Sequence, residues 1–241
     1  MMQDLRPASD ARLSQARPVL KICGVTSLED ARYISGLLID RIGFIFAAES
    51  PRHVDPNHVG AIVEWLGGIE TVGVFVNQSA GDVNETARRS GVDRVQLHGE
   101  EPPFVCKEIE LPVTKTLHVF PGTTRQELQA TVDEYVSVVD SFLFDTSRIQ
   151  DGQVVRGGTG EPFDWSVLNA LEIPRPFHLA GGLGADNLHL AWDRVRPDGF
   201  DVSGSVESSP GVKDFDKLDR LLAAFQALNE RIASGGAASP D

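Results

Sequence analysis

The strongest constraint on the fold is a regular alternation of short apolar runs with longer amphipathic segments. Eight runs rich in β-branched and aromatic residues are bounded by turn residues, as expected for buried strands. They are Val19–Cys23, Arg41–Phe46, Thr71–Val76, Arg94–Leu97, Val113–His118, Phe142–Asp145, Phe177–Ala180 and Gly199–Val202. A segment with helical spacing follows each run, and the first begins at Ser27, which is suited to cap a helix.

The intervening segments predict one helix after each strand. They are Ser27–Leu38, Pro56–Leu66, Ala80–Ser90, Pro102–Ile109, Thr124–Val136, Phe163–Leu171, Ala185–Val195 and Phe215–Ile232. Strands that alternate with helices pair in parallel through right-handed crossovers. We therefore predict a single α/β domain, a (β/α)₈ TIM barrel with eight parallel strands, over residues 18–232. Residues 1–17 and 233–241 are predicted to be flexible extensions without a function.

The composition disfavours nucleic-acid-binding, membrane and secreted proteins. The 241 residues carry a formal net charge of −13, which opposes binding to nucleic acid or to an anionic membrane. The polar start lacks the apolar core of a signal peptide, and no run is long and apolar enough to span a bilayer. Cys23 and Cys106 are expected to be free thiols, which favours a reducing, cytoplasmic setting.

In a (β/α)₈ barrel the active site is formed by the C-terminal ends of the strands and the loops that follow them. Polar or glycine residues stand at these positions after most of the predicted strands. They are Cys23, Arg52, Asn77, His98, Asp145, the pair Gly181-Gly182 and the segment Asp201–Ser205. The sequence therefore predicts one site at this end of the barrel.

Two of these side chains are candidates for proton transfer. Cys23 precedes a turn, so its thiol is expected at the barrel mouth, where a nearby cation or dipole would lower its pKa from about 8.5. Asp145 ends an apolar run, where desolvation would raise its pKa from about 3.9, as a general acid requires. A base and an acid that face one cavity suit an isomerisation. The alternative for Cys23 is that its thiol only fills space in the core, and the alternative for Asp145 is that its carboxylate caps a helix or lies in a loop.

Two glycine-containing segments, Gly181-Gly182 and Ser203-Gly204-Ser205, follow the seventh and eighth predicted strands. Backbone N–H groups at these strand ends, with a helix N-terminus behind them, form the usual phosphate site of such barrels. Neither segment is a dinucleotide fingerprint or a P-loop. We therefore expect a phosphorylated substrate that is not necessarily a nucleotide.

Arg52 and His98 are the other ionisable candidates at the mouth. Arg52 could bind a carboxylate through its planar fork, and His98 closes the fourth strand, although each could equally be an ordinary surface residue. The glycine-rich loop after Asp145 could be a lid or an ordinary loop, and its residues are Gly157, Gly158, Thr159 and Gly160. The six histidines have no compact ligand spacing, and Cys and His do not cluster, so we expect no metal site.

Taken in order, nine segments resemble phosphoribosylanthranilate isomerase of tryptophan biosynthesis. They are Lys21–Thr26, Ser50–Arg52, Gly73–Asn77, Gln96–Glu101, Phe144–Thr146, Gly157–Gly160, Phe163–Trp165, Gly181–Leu183 and Pro210–Asp214. The resemblance covers about residues 19–228, and its specificity lies in the ordered series rather than in any one segment.

The resemblance implies an Amadori rearrangement of N-(5-phosphoribosyl)anthranilate to 1-(2-carboxyphenylamino)-1-deoxyribulose 5-phosphate, without cofactor or metal. Cys23 then matches the general base that takes the proton from ribose C2, and Asp145 the general acid that protonates the furanose ring oxygen. Arg52 matches the position that holds the anthranilate carboxylate, while His98 and Asp201 match positions near the substrate. The two glycine segments match the phosphate-binding loops. The implied partner is this small molecule alone, and a monomer and a homodimer both remain open.

The chain departs from the family pattern at three places. Ser203-Gly204-Ser205 stands where the family usually has Ser-Ser-Gly, Ala180 stands where serine is usual, and Glu161 stands where a basic residue is common. The backbone donors survive all three changes. Glu161, however, brings a negative charge towards an anionic ligand, so we expect weaker binding or an altered substrate.

Two other functions remain as alternatives. The related isomerisation of the histidine pathway uses an aspartate where Cys23 stands, so the thiol disfavours it. A non-catalytic barrel that binds a phosphorylated ligand would require neither Cys23 nor Asp145 at its mouth.

Overall fold

A computed structural model describes residues 17–120, 122–150, 153–156 and 165–235, with the backbone alone at 146–150, 153–156 and 166. The lid candidates at 157–160, together with Glu161, lie outside the described residues. Residues 1–16 and 236–241 do so as well, so the predicted extensions stay predictions. Arg17, the last residue of the first extension, forms an ion pair with Asp40 at 2.5 Å.

Eight of the described strands form a closed parallel ring. The strands are β1 (Val19–Cys23), β2 (Arg41–Ile45), β3 (Glu70–Phe75), β4 (Arg94–Leu97), β5 (Val113–Val119), β6 (Ser141–Gln150), β7 (Gln153–Arg156), β8 (Phe177–Ala180), β9 (Gly199–Val202), β10 (Glu207–Ser209) and β11 (Val212–Lys213). The ring follows the order β1 to β6, then β8 and β9, and the pairing of β9 with β1 closes it. The predicted (β/α)₈ barrel is therefore confirmed.

The helices occupy the predicted intervals. They are α1 (Leu28–Ser35), α2 (Pro56–Val63), α3 (Ala80–Ser90), α4 (Pro103–Lys107), α5 (Arg125–Tyr135), α6 (Ser166–Asn169), α7 (Leu188–Val195) and α8 (Phe215–Ala233). Ser27 caps α1 as predicted, because its hydroxyl accepts from the Asp30 N–H at 3.0 Å. The helix ends at Ser35 rather than Leu38, since Gly36 forms its C-cap. In the described part of the chain, no helix combines the length and apolar character needed to cross a membrane.

Two antiparallel strand pairs were absent from the prediction. β6 continues past Asp145 to Gln150 and pairs with β7, so the predicted loop at 151–160 contains a strand at 153–156. The sequence signal was Asp151-Gly152 between two runs of strand-forming residues, a pattern typical of a hairpin. The second pair, β10 with β11, follows the last barrel strand. Gly211 lies between these strands with φ at +84°, which suits a glycine in a turn.

The two faces of the barrel strands differ in polarity. Outward-facing aromatic residues such as Phe44, Phe142 and Phe200 are fully buried between the strands and the helices. The inward-facing residues of several strands are polar, among them Lys21, Gln96 and Asp201, and they too are buried. The apolar core therefore lies outside the ring, and a polar layer fills part of its interior. This layer supports the site.

His178 on β8 is a buried titratable group in this interior. Its Nε2 lies 3.4 Å from the Nη1 atom of Arg41. Burial lowers the pKa of His178 to about 3, and the positive charges of Arg41, Lys21 and Arg94 add to this effect. The neutral ring is therefore the form that the folded barrel accommodates.

This arrangement predicts a specific loss of stability in acid. The unfolded chain binds a proton at His178 with an ordinary pKa near 6.5, whereas the folded chain does not until about pH 3. Because the unfolded state binds more protons, stability falls as the pH drops from about 6.5 towards 3. We expect the melting temperature of His178→Gln to fall less than that of wild type when the pH is lowered from 7 to 5.

The control for this prediction is His189→Gln, because His189 is exposed on α7. Its melting temperature should follow the wild-type pH dependence. Equal slopes for wild type and His178→Gln would contradict the assignment of the acid sensitivity to His178.

Candidate active site

The C-terminal ends of the barrel strands surround a cavity of about 600 Å³. Ten of the predicted site residues line it, from strands and loops around the ring. They are Cys23, Arg52, His98, Asp145, Gly181, Gly182, Asp201, Ser203, Gly204 and Ser205. β6 lies three strands from β1 around the ring, so Cys23 and Asp145 face one cavity from separate walls.

The floor of this cavity is organised by the Lys21 ammonium. Nζ donates to Asp201 Oδ2 at 2.7 Å and to Gln96 Oε1 at 2.8 Å, and the Cys23 sulfur lies near enough to raise the pKa of the ammonium. Burial opposes the charge on Lys21, but the attraction of Asp201 and Cys23 outweighs it and raises the pKa of the ammonium. Lys21 is therefore a permanent cation beside the thiol. It brings together side chains of β1, β4 and β9.

The pKa of Cys23 differs from the expectation. Burial raises the pKa of the thiol, and the negative charge of Asp201 adds to this, while Lys21 and Lys213 act in the opposite direction. The net shift is upward, so the expected lowering by a nearby cation was wrong. The cation is present, but desolvation at a side chain only 6% exposed outweighs it. At neutral pH the thiolate is a minority form, and it is a strong base when it forms.

The opposite part of the wall contains Asp145 and two histidines. His98 Nε2 lies 3.3 Å from Asp145 Oδ2, and His118 Nδ1 lies 4.0 Å from the same oxygen. His98 Nδ1 is held by Gln96 Nε2 and by Thr116 Oγ1, each at 3.1 Å. The rings of His98 and His118 meet edge to face, with centroids 5.0 Å apart. Asp145 therefore lies in an ordered polar pocket.

This pocket corrects one argument from the sequence. Histidines that are scattered along the chain were expected not to cluster, yet the donor atoms of His98, His118 and Asp145 lie within 4.8 Å of one another. The barrel brings β5 beside β6, and the residues at their C-terminal ends then share one wall. Spacing along the chain was therefore a poor guide to metal-binding geometry here.

Arg52 is anchored on one edge and open on the other. Its Nε and Nη2 atoms donate to Glu207, with the shortest contact at 2.6 Å, and Lys213 Nζ reaches the same carboxylate at 2.9 Å. These two cations lower the pKa of Glu207 even though burial opposes the charge. Nη1 of Arg52 has no acceptor among the described residues, so two N–H donors can bind a ligand.

The two glycine loops present backbone donors to the cavity. Gly181 and Gly182 have φ of +88° and +64°, which glycine tolerates without strain. The N–H groups of Gly182, Gly204 and Ser205 have no acceptor among the described residues. The Ser205 hydroxyl donates to the Leu183 carbonyl at 2.6 Å and so ties the two loops together. This contact gives the serine at 205 a structural role in a segment that departs from the family pattern.

Comparison with known proteins identifies the family. Residues 20–224 match the family described as N-(5'-phosphoribosyl)anthranilate isomerase. The isomerase of Pseudomonas putida GB-1 is 42% identical over 207 residues, which cover 86% of this chain and 96% of that protein. The crystal structure of the Thermotoga maritima isomerase superposes with a TM-score of 0.77 at 32% identity, over 87% of this chain and 99% of that one.

The chain belongs to the phosphoribosylanthranilate isomerase family. A further crystal structure of a phosphoribosylanthranilate isomerase holds reduced 1-(o-carboxyphenylamino)-1-deoxyribulose 5-phosphate. It superposes with a TM-score of 0.73 at 31% identity and covers 87% of this chain and 99% of that one. The family suggested by the sequence motifs is thereby confirmed.

For this isomerase family member, sequence reasoning missed several residues of the site. The side chains that were not singled out but point into the barrel are those of Lys21, Gln96 and His118. Lys21 stands two positions before Cys23, and Gln96 two positions before His98, so each pair shares one face of its strand. His118 lies directly opposite Asp145 on the neighbouring strand. Strand parity would have found them, because alternate residues share a face.

Asn77 was placed at the mouth but does not line the cavity. Its side chain instead accepts from the Glu100 N–H at 2.7 Å, and its own N–H donates to Glu101. It takes a left-handed conformation with φ at +55°, which asparagine tolerates better than most residues. Asn77 therefore braces two loops rather than contributing to the site.

The ammonium beside the thiol yields a testable prediction for the isomerase. Lys21→Met removes a charge that lowers the pKa of Cys23 and leaves Asp201, which raises it. We expect the alkylation of Cys23 by iodoacetamide to shift to higher pH, with the rate at pH 8 reduced about tenfold for each pKa unit.

Cys106 serves as the internal reference, since it is 2% exposed and burial raises its pKa to about 11. Lys107→Met, which removes an exposed lysine next to Cys106, should leave the Cys23 profile unchanged. An unchanged or downward-shifted profile in Lys21→Met would show that Lys21 does not control the thiol.

Proposed function

We propose that this chain isomerises N-(5-phosphoribosyl)anthranilate to 1-(2-carboxyphenylamino)-1-deoxyribulose 5-phosphate in tryptophan biosynthesis, with Cys23 as general base and Asp145 as general acid. The observation that carries the proposal is that both side chains line one cavity beside two loops with open N–H donors, in a chain of this family. The thiol also disfavours the histidine-pathway alternative.

The reaction requires one proton to be given and one to be taken. Asp145 donates a proton to the furanose ring oxygen while the C1–O bond breaks and the anthranilate nitrogen forms a C=N bond with C1. The Cys23 thiolate then removes the proton from C2, and the electron pair of that bond moves to give an enolamine. Tautomerisation of the enolamine places a proton on C1 and leaves the ketone at C2. No electrons enter or leave the substrate, so no redox cofactor is required.

The remaining residues bind the substrate in this proposal. The open Nη1 of Arg52 holds the anthranilate carboxylate, and the N–H groups of Gly182, Gly204 and Ser205 hold the phosphate. Asp201 Oδ1 is buried without a hydrogen-bond partner among the described residues and faces the cavity wall, so it accepts from a ribose hydroxyl. Desolvation of these groups by the bound ligand strengthens each contact.

Turnover of freshly generated phosphoribosylanthranilate, followed by the loss of anthranilate fluorescence, tests the two catalytic assignments. We expect rapid turnover by wild type, and a fall in kcat of about 10²-fold or more in both Cys23→Ser and Asp145→Asn, because each removes one proton-transfer group. Cys106→Ser and the exposed Asp133→Asn are the matched controls and should retain activity.

A wild-type protein without turnover would favour the non-catalytic phosphate-binding alternative. Near-normal turnover in either active-site variant would reject the role of that residue while leaving the overall activity in place. The two failures are therefore separable in one experiment.

Arg52→Lys tests carboxylate binding. A lysine provides a point charge instead of a fork, and a hydrogen bond to a charged group contributes about 1.5–3 kcal/mol, so we expect KM to rise roughly 10- to 100-fold. The value of kcat should change little, since the contact is the same in ground and transition states. Arg88→Lys, on the exposed face of α3, is the control. An unchanged KM would mean that Arg52 serves only Glu207.

The alternatives for the oligomeric state are a monomer and a homodimer, and one structural neighbour is described as monomers generated from the dimeric phosphoribosylanthranilate isomerase of Thermotoga maritima. A cytoplasmic location is proposed from the two free thiols, Cys23 and Cys106.

A further inference from the structure

Gln96 links the two halves of the site. Its amide oxygen accepts from Lys21 Nζ at 2.8 Å, and its amide nitrogen lies 3.1 Å from His98 Nδ1. Gln96 is itself 3% exposed, and its contact with Lys21 is buried, whereas its contact with His98 is partly buried. The chain of polar contacts therefore runs from the thiol side of the cavity, through Lys21 and Gln96, to His98 and Asp145.

The chemistry of these groups fixes the position of each proton. An ammonium group only donates, so the Gln96 atom that faces Lys21 must be the oxygen. The atom that faces His98 is then the NH₂ group, which also only donates, so Nδ1 of His98 must present a lone pair. The neutral imidazole has one N–H, which is therefore on Nε2. That nitrogen lies 3.3 Å from Asp145 Oδ2.

We propose that Gln96 is a positioning residue for the isomerase reaction, because it holds His98 in the Nε2–H tautomer and so directs a donor at one oxygen of Asp145. With Oδ2 facing this donor, Oδ1 is the oxygen from which the catalytic proton is transferred. This inference rests on the proposed role of Asp145 as general acid.

The neighbouring contacts agree with this assignment. Thr116 Oγ1 lies 3.1 Å from His98 Nδ1 and can donate its hydroxyl proton to the same lone pair. His118 Nε2 lies 2.9 Å from the His98 carbonyl oxygen, which can only accept, so His118 also carries a proton on Nε2. The proton on His98 Nε2 occupies the position that a metal ion shared with His118 and Asp145 would need. The cluster therefore serves proton placement better than metal binding.

The tautomer of His98 can be measured directly by ¹⁵N NMR of protein labelled at histidine, with the His98 signals identified by their absence in His98→Asn. In wild type we expect a protonated, pyrrole-like Nε2 and an unprotonated, pyridine-like Nδ1. Gln96→Glu replaces the amide donor by an acceptor of the same shape. We expect Nδ1 to become protonated in this variant, either by tautomer exchange or by gain of a second proton.

Kinetics provide the second readout. In Gln96→Glu and in the apolar Gln96→Met, kcat should fall about 10- to 100-fold with little change in KM, because the acid is misplaced while the substrate contacts remain. Gln126→Glu introduces the same charge change on the exposed face of α5 and should alter neither quantity. A thermal melt of each variant excludes loss of the fold as the cause.

Two results would overturn the proposal. One is a wild-type His98 with its proton on Nδ1, a result that does not depend on whether the Gln96 variants fold. The other is a Gln96→Glu protein with an unchanged tautomer or an unchanged kcat. Retention of activity in Asp145→Asn would instead remove the proposed acid and leave the tautomer measurement valid, so the two failures are distinct.

Discussion

The site depends on one buried positive charge. A lysine ammonium inside a barrel has a large desolvation cost unless its donors find acceptors, and Lys21 donates to Asp201 and Gln96 with the Cys23 sulfur as its third polar neighbour. These partners come from β1, β4 and β9, so the parallel register of the ring must be correct before the charge is satisfied. In turn, loss of any one partner would leave a buried donor without an acceptor. The same contacts that make Lys21 tolerable thus define where the site residues lie.

This arrangement departs from the interior of many barrels, which is packed with bulky branched side chains. Here Leu20 and Ile22 face the helices, whereas Lys21 and Cys23 face the axis. A strand of five residues therefore supplies both the apolar core outside the ring and the polar layer within it. Because a buried polar group needs a specific partner, the polar contacts extend from the thiol side of the cavity through Lys21, Gln96 and His98 to Asp145.

The sequence predicted the architecture well because strand and helix periodicity are local properties. All eight barrel strands begin within one residue of their predicted starts, and Ser27 and Thr124 cap helices as their residue types suggest. The protonation of Cys23 was predicted in the wrong direction, since a nearby cation can be expected from sequence but the degree of desolvation cannot. The pairing of Arg52 with Glu207 and the cluster of His98 with His118 were also missed. Both join side chains that are distant along the chain and meet only through the closure of the barrel.

The two cysteines illustrate a consequence of burial that concerns the lifetime of the protein in the cell. Peroxides and disulfides react with a thiolate, not with a protonated thiol, so susceptibility to oxidation follows the ionised fraction. Burial raises the pKa of both Cys23 and Cys106, which keeps both sulfur atoms protonated in the resting protein. In the proposed mechanism Cys23 is the base, and the same desolvation that makes its thiolate strongly basic shields the protonated thiol from oxidative damage between turnovers.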